Sequence, residues 1–129
     1  MFLDANIFIY AFRNPERKGA ACREMLERIK KGEHAVTGPL VLDEVVFVLS
    51  EQIGSERAIK TVRNILRIDN LSILDINKLT CEYALGYMEQ GLDPSDAFHA
   101  ALMKQNGIKT LCSYDKDFDK IKEITRKEP

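Results

Sequence analysis

Residues 1–12 read MFLDANIFIYAF, an apolar run broken only by Asp4 and Asn6, and their reading decides the fold. Near-continuous apolar character without alternation marks a strand buried on both faces, opening here into a turn or helix. Asp4 then falls at the strand's end. A carboxylate beside Phe2, Leu3, Ile7 and Phe8 has to be paired, metal-bound or protonated; an Asx turn is its plainer explanation.

Working outward, Pro15 suits a first helical turn, and Ala20, Ala21, Met25, Leu26 and Ile29 recur at helical spacing until Lys31-Gly32. His34 to Thr37 reads as a short strand. After the Gly38-Pro39 break, Leu40 to Leu49 reads as a helix apolar on nearly every side, interrupted by Asp43 and Glu44. Ser55 is placed to cap an amphipathic helix carrying Ala58, Ile59, Val62, Ile65 and Leu66, and Leu71 to Ile76 follows as a strand. Asn77 caps a further helix through Gln90. Asp93-Pro94 opens the next, Ser95 to Asn106, and Thr110 to Ser113 forms a last strand. Strands alternating with helical crossovers predict an α/β fold, a three-layer α/β/α arrangement around a central parallel sheet.

The 129 residues fit one domain, 1–129, and 45% apolar with 30% charged residues suffices for one core. Nineteen basic against twenty acidic residues exclude a basic nucleic-acid coat, so a polyanion must be met locally. Residues 13–31 hold seven basic and three acidic side chains, and residues 68–96 hold one basic and six acidic. These are ordinary solvated helix faces or a basic rim beside an acidic pocket. Three isolated cysteines argue against a disulfide framework or zinc knuckle. With no apolar run near about 18 residues and no secretory pattern at the start, the sequence predicts a cytoplasmic chain away from membranes.

Ligands of open parallel sheets bind beyond the carboxyl ends of the strands, and acids recur there. Asp4 ends the first strand, Asp115 and Asp117 follow the last, Asp96 opens a helix, and Glu44 lies in the helix after the second strand. Asp96 at the third position of a helix is also explained by the dipole and a bond back to the cap. Glu44, flanked by Val41, Leu42, Val45, Val46 and Phe47, has little solvated face, although Asp43 is an alternative acid. Asp115, Asp117 and Asp119 also suit a solvated turn. Carboxylates gathered in one pocket repel unless protons or a divalent cation neutralise them, and Mg²⁺ or Mn²⁺ is the natural occupant. Such a centre suits phosphodiester hydrolysis. His99 and His34 read as packing and strand-end residues, and Tyr10, Phe12 and Tyr114 as core, rim or base-stacking aromatics. No phosphate-binding P-loop, serine-hydrolase elbow or dinucleotide fingerprint is present.

Four features, LDANIFIYAF at the start, Glu44, DAFHAALMKQNG from Asp96 and TLCSYDKDF from Thr110, occur in an order and spacing that resemble the PIN-domain family. These are metal-dependent ribonucleases that include the toxins of VapBC-type toxin–antitoxin pairs. The resemblance implies Asp4, Glu44, Asp96 and Asp115 as catalytic and metal-binding acids, Asp117 as a further metal-binding acid, and Asn6 and Ser113 as auxiliary polar groups. It also implies Mg²⁺ or Mn²⁺ as cofactor, RNA as substrate, a homodimer, and an antitoxin that occludes the pocket. The short chain points to the toxin-like subgroup. Two rivals stand beside it. A silent module would receive a basic partner segment in the acidic pocket. A phosphomonoesterase would use an aspartate after the first strand, but this chain has Asp4-Ala5-Asn6 without a second acid.

Overall fold

The computed structural model describes residues 1–129. Five parallel strands, β1 (Phe2–Leu3), β2 (Ala35–Thr37), β3 (Leu71–Ile73), β4 (Thr110–Cys112) and β5 (Thr125–Lys127), lie in the order β3-β2-β1-β4-β5. Six helices connect them: α1 (Ala5–Arg13), α2 (Arg17–Lys30), α3 (Pro39–Ile53), α4 (Ser55–Ile65), α5 (Lys78–Glu89) and α6 (Pro94–Gln105). Parallel crossovers are right-handed, so the reversal of direction after β3 puts α5 and α6 on the sheet face opposite α1–α4. The result is the three-layer α/β/α sandwich that the sequence predicts.

That reversal makes a topological switch point between β1 and β4, the place where open α/β sheets leave a crevice. Asp4 N–H donates to the Cys112 carbonyl at 3.1 Å, holding the end of β1 against the end of β4. Phe2, Leu3, Ile7, Phe8, Leu102, Met103 and Leu111 are fully buried around this pair of strands. A two-residue strand is thus fixed by what packs on both its faces rather than by its own length.

Several boundaries differ from expectation: β3 stops at Ile73 instead of Ile76, and α3 runs on past Leu49 to Ile53. The residue preceding α4 is Gly54, with φ of 86°, and Ser55 is already helical. The edge strand β5 was not anticipated, because Thr-Arg-Lys carries no apolar alternation; parallel pairing to β4 and the ion pair of Arg126 with Asp119, 2.8 Å, hold it. Asn77 does cap α5, exchanging hydrogen bonds with Thr80 as the sequence suggests. One glycine sets a close approach: a Cβ on Gly19 would overlap the Asn14 carbonyl oxygen, so α2 can rest its first turn on the end of α1 only without a side chain there. No helix is long and apolar enough to cross a membrane, and all three cysteines are free.

Candidate active site

Asp4 is 6% exposed and is the N-cap of α1, its Oδ1 accepting from Ala5 N–H at 2.8 Å. Its other oxygen accepts from Ser113 Oγ and from Asn6 Nδ2, each at 2.6 Å. One oxygen of Asp4 thus caps the helix and the other ties the end of β1 to the end of β4. Asn6 Nδ2 also donates to Ser113 Oγ at 2.9 Å, and that hydroxyl accepts from Asp115 N–H at 2.9 Å. Asn6 Oδ1 accepts from Tyr114 N–H at 3.2 Å. Burial raises the Asp4 pKa and the Asp115 charge adds to it, while the bonds from Ser113, Ala5 and Asn6 pull it back.

Facing this network are the acids of α3 and α6. Glu44 and Asp96 line one cleft of about 610 Å³ with Asp43, Asp93, Phe47 and Phe98. Glu44 is exposed, contrary to the expectation of a buried carboxylate on an all-round apolar helix. The stripe Val41, Val45 and Leu49 faces the core, and Asp43, Glu44 and Phe47 are turned outward at the cleft edge. The Glu44 pKa is raised, first by the desolvation imposed by the crowded cleft walls and then by Asp4, Asp115 and Asp43. Asp96 is pushed up to about 7 by desolvation, then by Asp115, Asp4, Asp93 and Glu44. Asp96 does lie in the first turn of α6, where the helix dipole favours a carboxylate, but neither it nor the N-cap Asp93 makes a side-chain capping bond.

Asp4, Glu44, Asp96 and Asp115 thus lie within mutual electrostatic reach. They stand apart rather than forming a tight cage, since no three His, Cys, Asp or Glu side chains converge closely enough to enclose an ion by themselves. Asp117 is drawn outward: it pairs with Lys120 at 2.7 Å and lines a smaller cavity of about 180 Å³ with Asp93 and Asp96. Asp115 instead caps the short 3-10 helix Lys116–Lys120, its Oδ1 accepting from Asp117 N–H.

The remaining candidates sort by position. His99 is buried against Phe2 with ring centroids 5.7 Å apart; neither ring nitrogen has a partner, and burial lowers its pKa to about 4. It is a neutral packing residue. Phe12 lies away from the acids, in a separate hollow with Arg23, Leu26 and Lys30. Sequence reasoning passed over Asp93, Phe47 and Phe98 as cleft residues. Asp93 was hidden by its position as a helix cap, and the two phenylalanines by their resemblance to core residues.

A model of the PIN domain matches residues 1–124. The chain belongs to the PIN-domain family. Among solved structures, this PIN domain superposes on VapC20 of Mycobacterium tuberculosis, described as a sarcin–ricin loop cleaving toxin. The TM-score is 0.77 at 17% identity, covering 92% of each chain. It likewise matches VapBC2 from Rickettsia felis, bound to a DNA fragment from its promoter, with TM-score 0.74, 20% identity and coverage of 98% and 96%. A toxin–antitoxin complex from Klebsiella pneumoniae gives TM-score 0.70 at 17% identity over 96% and 94%. At these identities the likeness is one of fold. No curated protein matches the sequence.

Proposed function

We propose that this PIN domain, with residues 1–129 as one unit, is a Mg²⁺- or Mn²⁺-dependent ribonuclease hydrolysing RNA phosphodiester bonds. The observation that carries the proposal is that the carboxylates of Asp4, Glu44, Asp96 and Asp115 lie within reach of one another's charge at the switch point, with Asp4, Glu44 and Asp96 raised first by desolvation and further by neighbouring acids. Protons or a divalent cation relieve that repulsion. The four acids do not close a cage by themselves, but their donor atoms are all oxygen, which suits a hard cation such as Mg²⁺ that keeps several of its waters.

Asp4, Glu44, Asp96 and Asp115 are the residues that would hold the ion, with Asp117 an outer acid alongside. When bound, Mg²⁺ or Mn²⁺ supplies activation of the attacking water and charge neutralisation at the leaving oxygen. The chain's own contribution is placement. Ser113 and Asn6 lock the Asp4 carboxylate in one orientation, and the same hydroxyl fixes the backbone entering Asp115. Glu44 and Asp96 face the open cleft through which an RNA strand would enter. Because Asn6 spends its amide on Asp4 and Ser113, it gives no support to a phosphomonoesterase acid pair.

Membership in the family, together with fold neighbours solved as toxin–antitoxin complexes, supports the reading as the toxin of such a pair, acting as a homodimer and bound by an antitoxin. The test is cleavage of an end-labelled RNA pool with Mn²⁺ or Mg²⁺, beside EDTA and an Asp96→Asn variant. Cutting that needs metal and is lost in the variant supports the nuclease. Intact RNA with well-folded, metal-binding protein supports a silent module that receives a basic partner.

A further inference from the structure

The Asp4–Asn6–Ser113 network is joined through the Tyr114 backbone to a group of rings and cations that the carboxylate chemistry leaves unused. Tyr10 lies one helical turn beyond Asn6 on α1, so both project from one face. Asn6 in turn holds the backbone of Tyr114, whose ring meets that of Tyr10 with centroids 5.5 Å apart, tilted by 44°. Both tyrosines are half-buried. Lys18 Nζ stands 4.7 Å from the centre of the Tyr114 ring and 5.9 Å from that of Tyr10. Arg13 and Tyr10 line an adjoining hollow of about 390 Å³, with Arg13 Nε donating to Gln52 Oε1 at 3.0 Å.

The charges here are not neutralised internally. Arg13 and Lys18 take part in none of the chain's five ion pairs. Lys18 also lies in the first turn of α2, where the helix dipole already favours anions over cations. The neighbouring Gly19 lets the start of α2 press against the carbonyl end of α1. The stretch of basic residues read from the sequence therefore presents two cations outside any ion pair beside two mutually tilted rings, one of which adjoins Asp115 in sequence, with Glu16 as the acid lining the same hollow as Arg13.

We propose that Tyr10, Tyr114, Lys18 and Arg13 form a nucleotide subsite for a single-stranded RNA segment flanking the bond to be cut. The tyrosine rings stack a base, and Lys18 and Arg13 take its phosphates. Lys18 now covers the ring face, and relative magnitudes decide whether a base can replace it. An exposed cation–π contact is worth about two- to fivefold in an equilibrium, whereas stacking a base on an aromatic ring is worth about five- to 150-fold. The base displaces the ammonium, which is then free to meet phosphate. A base inside a duplex has no free face to offer, so the subsite selects unpaired RNA.

The proposal rests on the nuclease reading for its ligand, and the test separates the two. Binding of a fluorescently labelled single-stranded RNA and of its duplex is measured by anisotropy, with Mg²⁺, in an Asp96→Asn background. RNA integrity is followed on gels. The single strand should bind more tightly than the duplex. Tyr10→Leu should weaken single-strand binding about tenfold, with Tyr10→Phe restoring it, since only the ring is needed. Lys18→Gln and Arg13→Gln, both at exposed positions, should each flatten the slope of log K against log salt by about 0.7. Affinities and slopes equal to those of the parent, no preference for the single strand, or no RNA binding at all would overturn the subsite and leave the rings to a protein partner. RNA bound through these residues yet never cut by the unsubstituted chain would keep the subsite and sink the nuclease reading.

Discussion

The two walls of the cleft are built on opposite principles. On the β1–β4 side, Asp4 is buried, yet both its oxygens accept hydrogen bonds, from Ala5, Asn6 and Ser113. On the α3–α6 side, nothing offsets the charge of Glu44 and Asp96; desolvation and neighbouring carboxylates alone act on them, all in the raising direction. One wall is held by hydrogen bonds and the other is not. The difference teaches that rigidity and unrelieved charge can be divided between walls, and under the proposed function the hydrogen-bonded side would fix geometry while the repelling side would draw the cation.

The sharpest way to break the contrast is Asp96→Asn. Loss of this carboxylate should lower RNA cleavage by about 100-fold or more, because cation affinity and water activation fail together. The metal-free variant should nevertheless melt higher than the parent at neutral pH, since a repelling charge is gone. A lower melting temperature would show that the α6 wall is satisfied after all.

Ser113→Ala probes the other wall and should move both quantities down. Cleavage falls about 10- to 100-fold, as for other residues that orient a metal ligand. Stability falls by about 1–3 kcal/mol, because a buried carboxylate loses a donor. Denaturant unfolding without metal reads the second effect. An unchanged midpoint would mean that Asn6 alone suffices to hold Asp4.

The pH dependence of the metal-free protein follows from the unsatisfied wall. Between pH 3.8 and about 7 the folded chain keeps a proton on Asp96 that the unfolded chain has released. Its unfolding free energy therefore falls as pH rises through that window. With solvent access taken into account, the loss is about 1–2 kcal/mol. Adding Mn²⁺ should recover it most fully at the alkaline end, and melting curves at a series of pH values check both slopes. The smallest effect belongs to Asp117→Asn, which removes an exposed, solvent-screened pair with Lys120 and should leave stability nearly unchanged and cleavage altered only about two- to threefold. A loss as large as that of Asp96→Asn would move Asp117 into the centre itself.

Much of this was legible in the chain. The apolar run around Asp4 marked a strand end, and Gly38-Pro39, Asn77 and Asp93-Pro94 marked helix starts through local chemistry that survives in the structure. The edge strand β5 was not legible, because an exposed strand needs no apolar pattern. Nor was the exposure of Glu44: an apolar helix reads as buried all round until the cleft leaves one of its faces uncovered. Asp43 and Asp117 differ from Glu44 and Asp115 by one and two positions, and sequence spacing could not rank them. In the structure Glu44 feels the charges of Asp4 and Asp115, and Asp117 pairs with Lys120, differences of environment that spacing does not encode.

The sequence by itself determined the alternation of strands and helices, and with it a parallel sheet with acids at the strand ends, because period, caps and breakers act over a few residues. The tertiary structure alone decided that β4 returns beside β1, bringing Ser113 to a residue 109 positions away and leaving a crevice there. It alone decided which carboxylates are satisfied and which repel. Strand order and through-space charge depend on contacts between distant parts of the chain, and no local pattern encodes those distances.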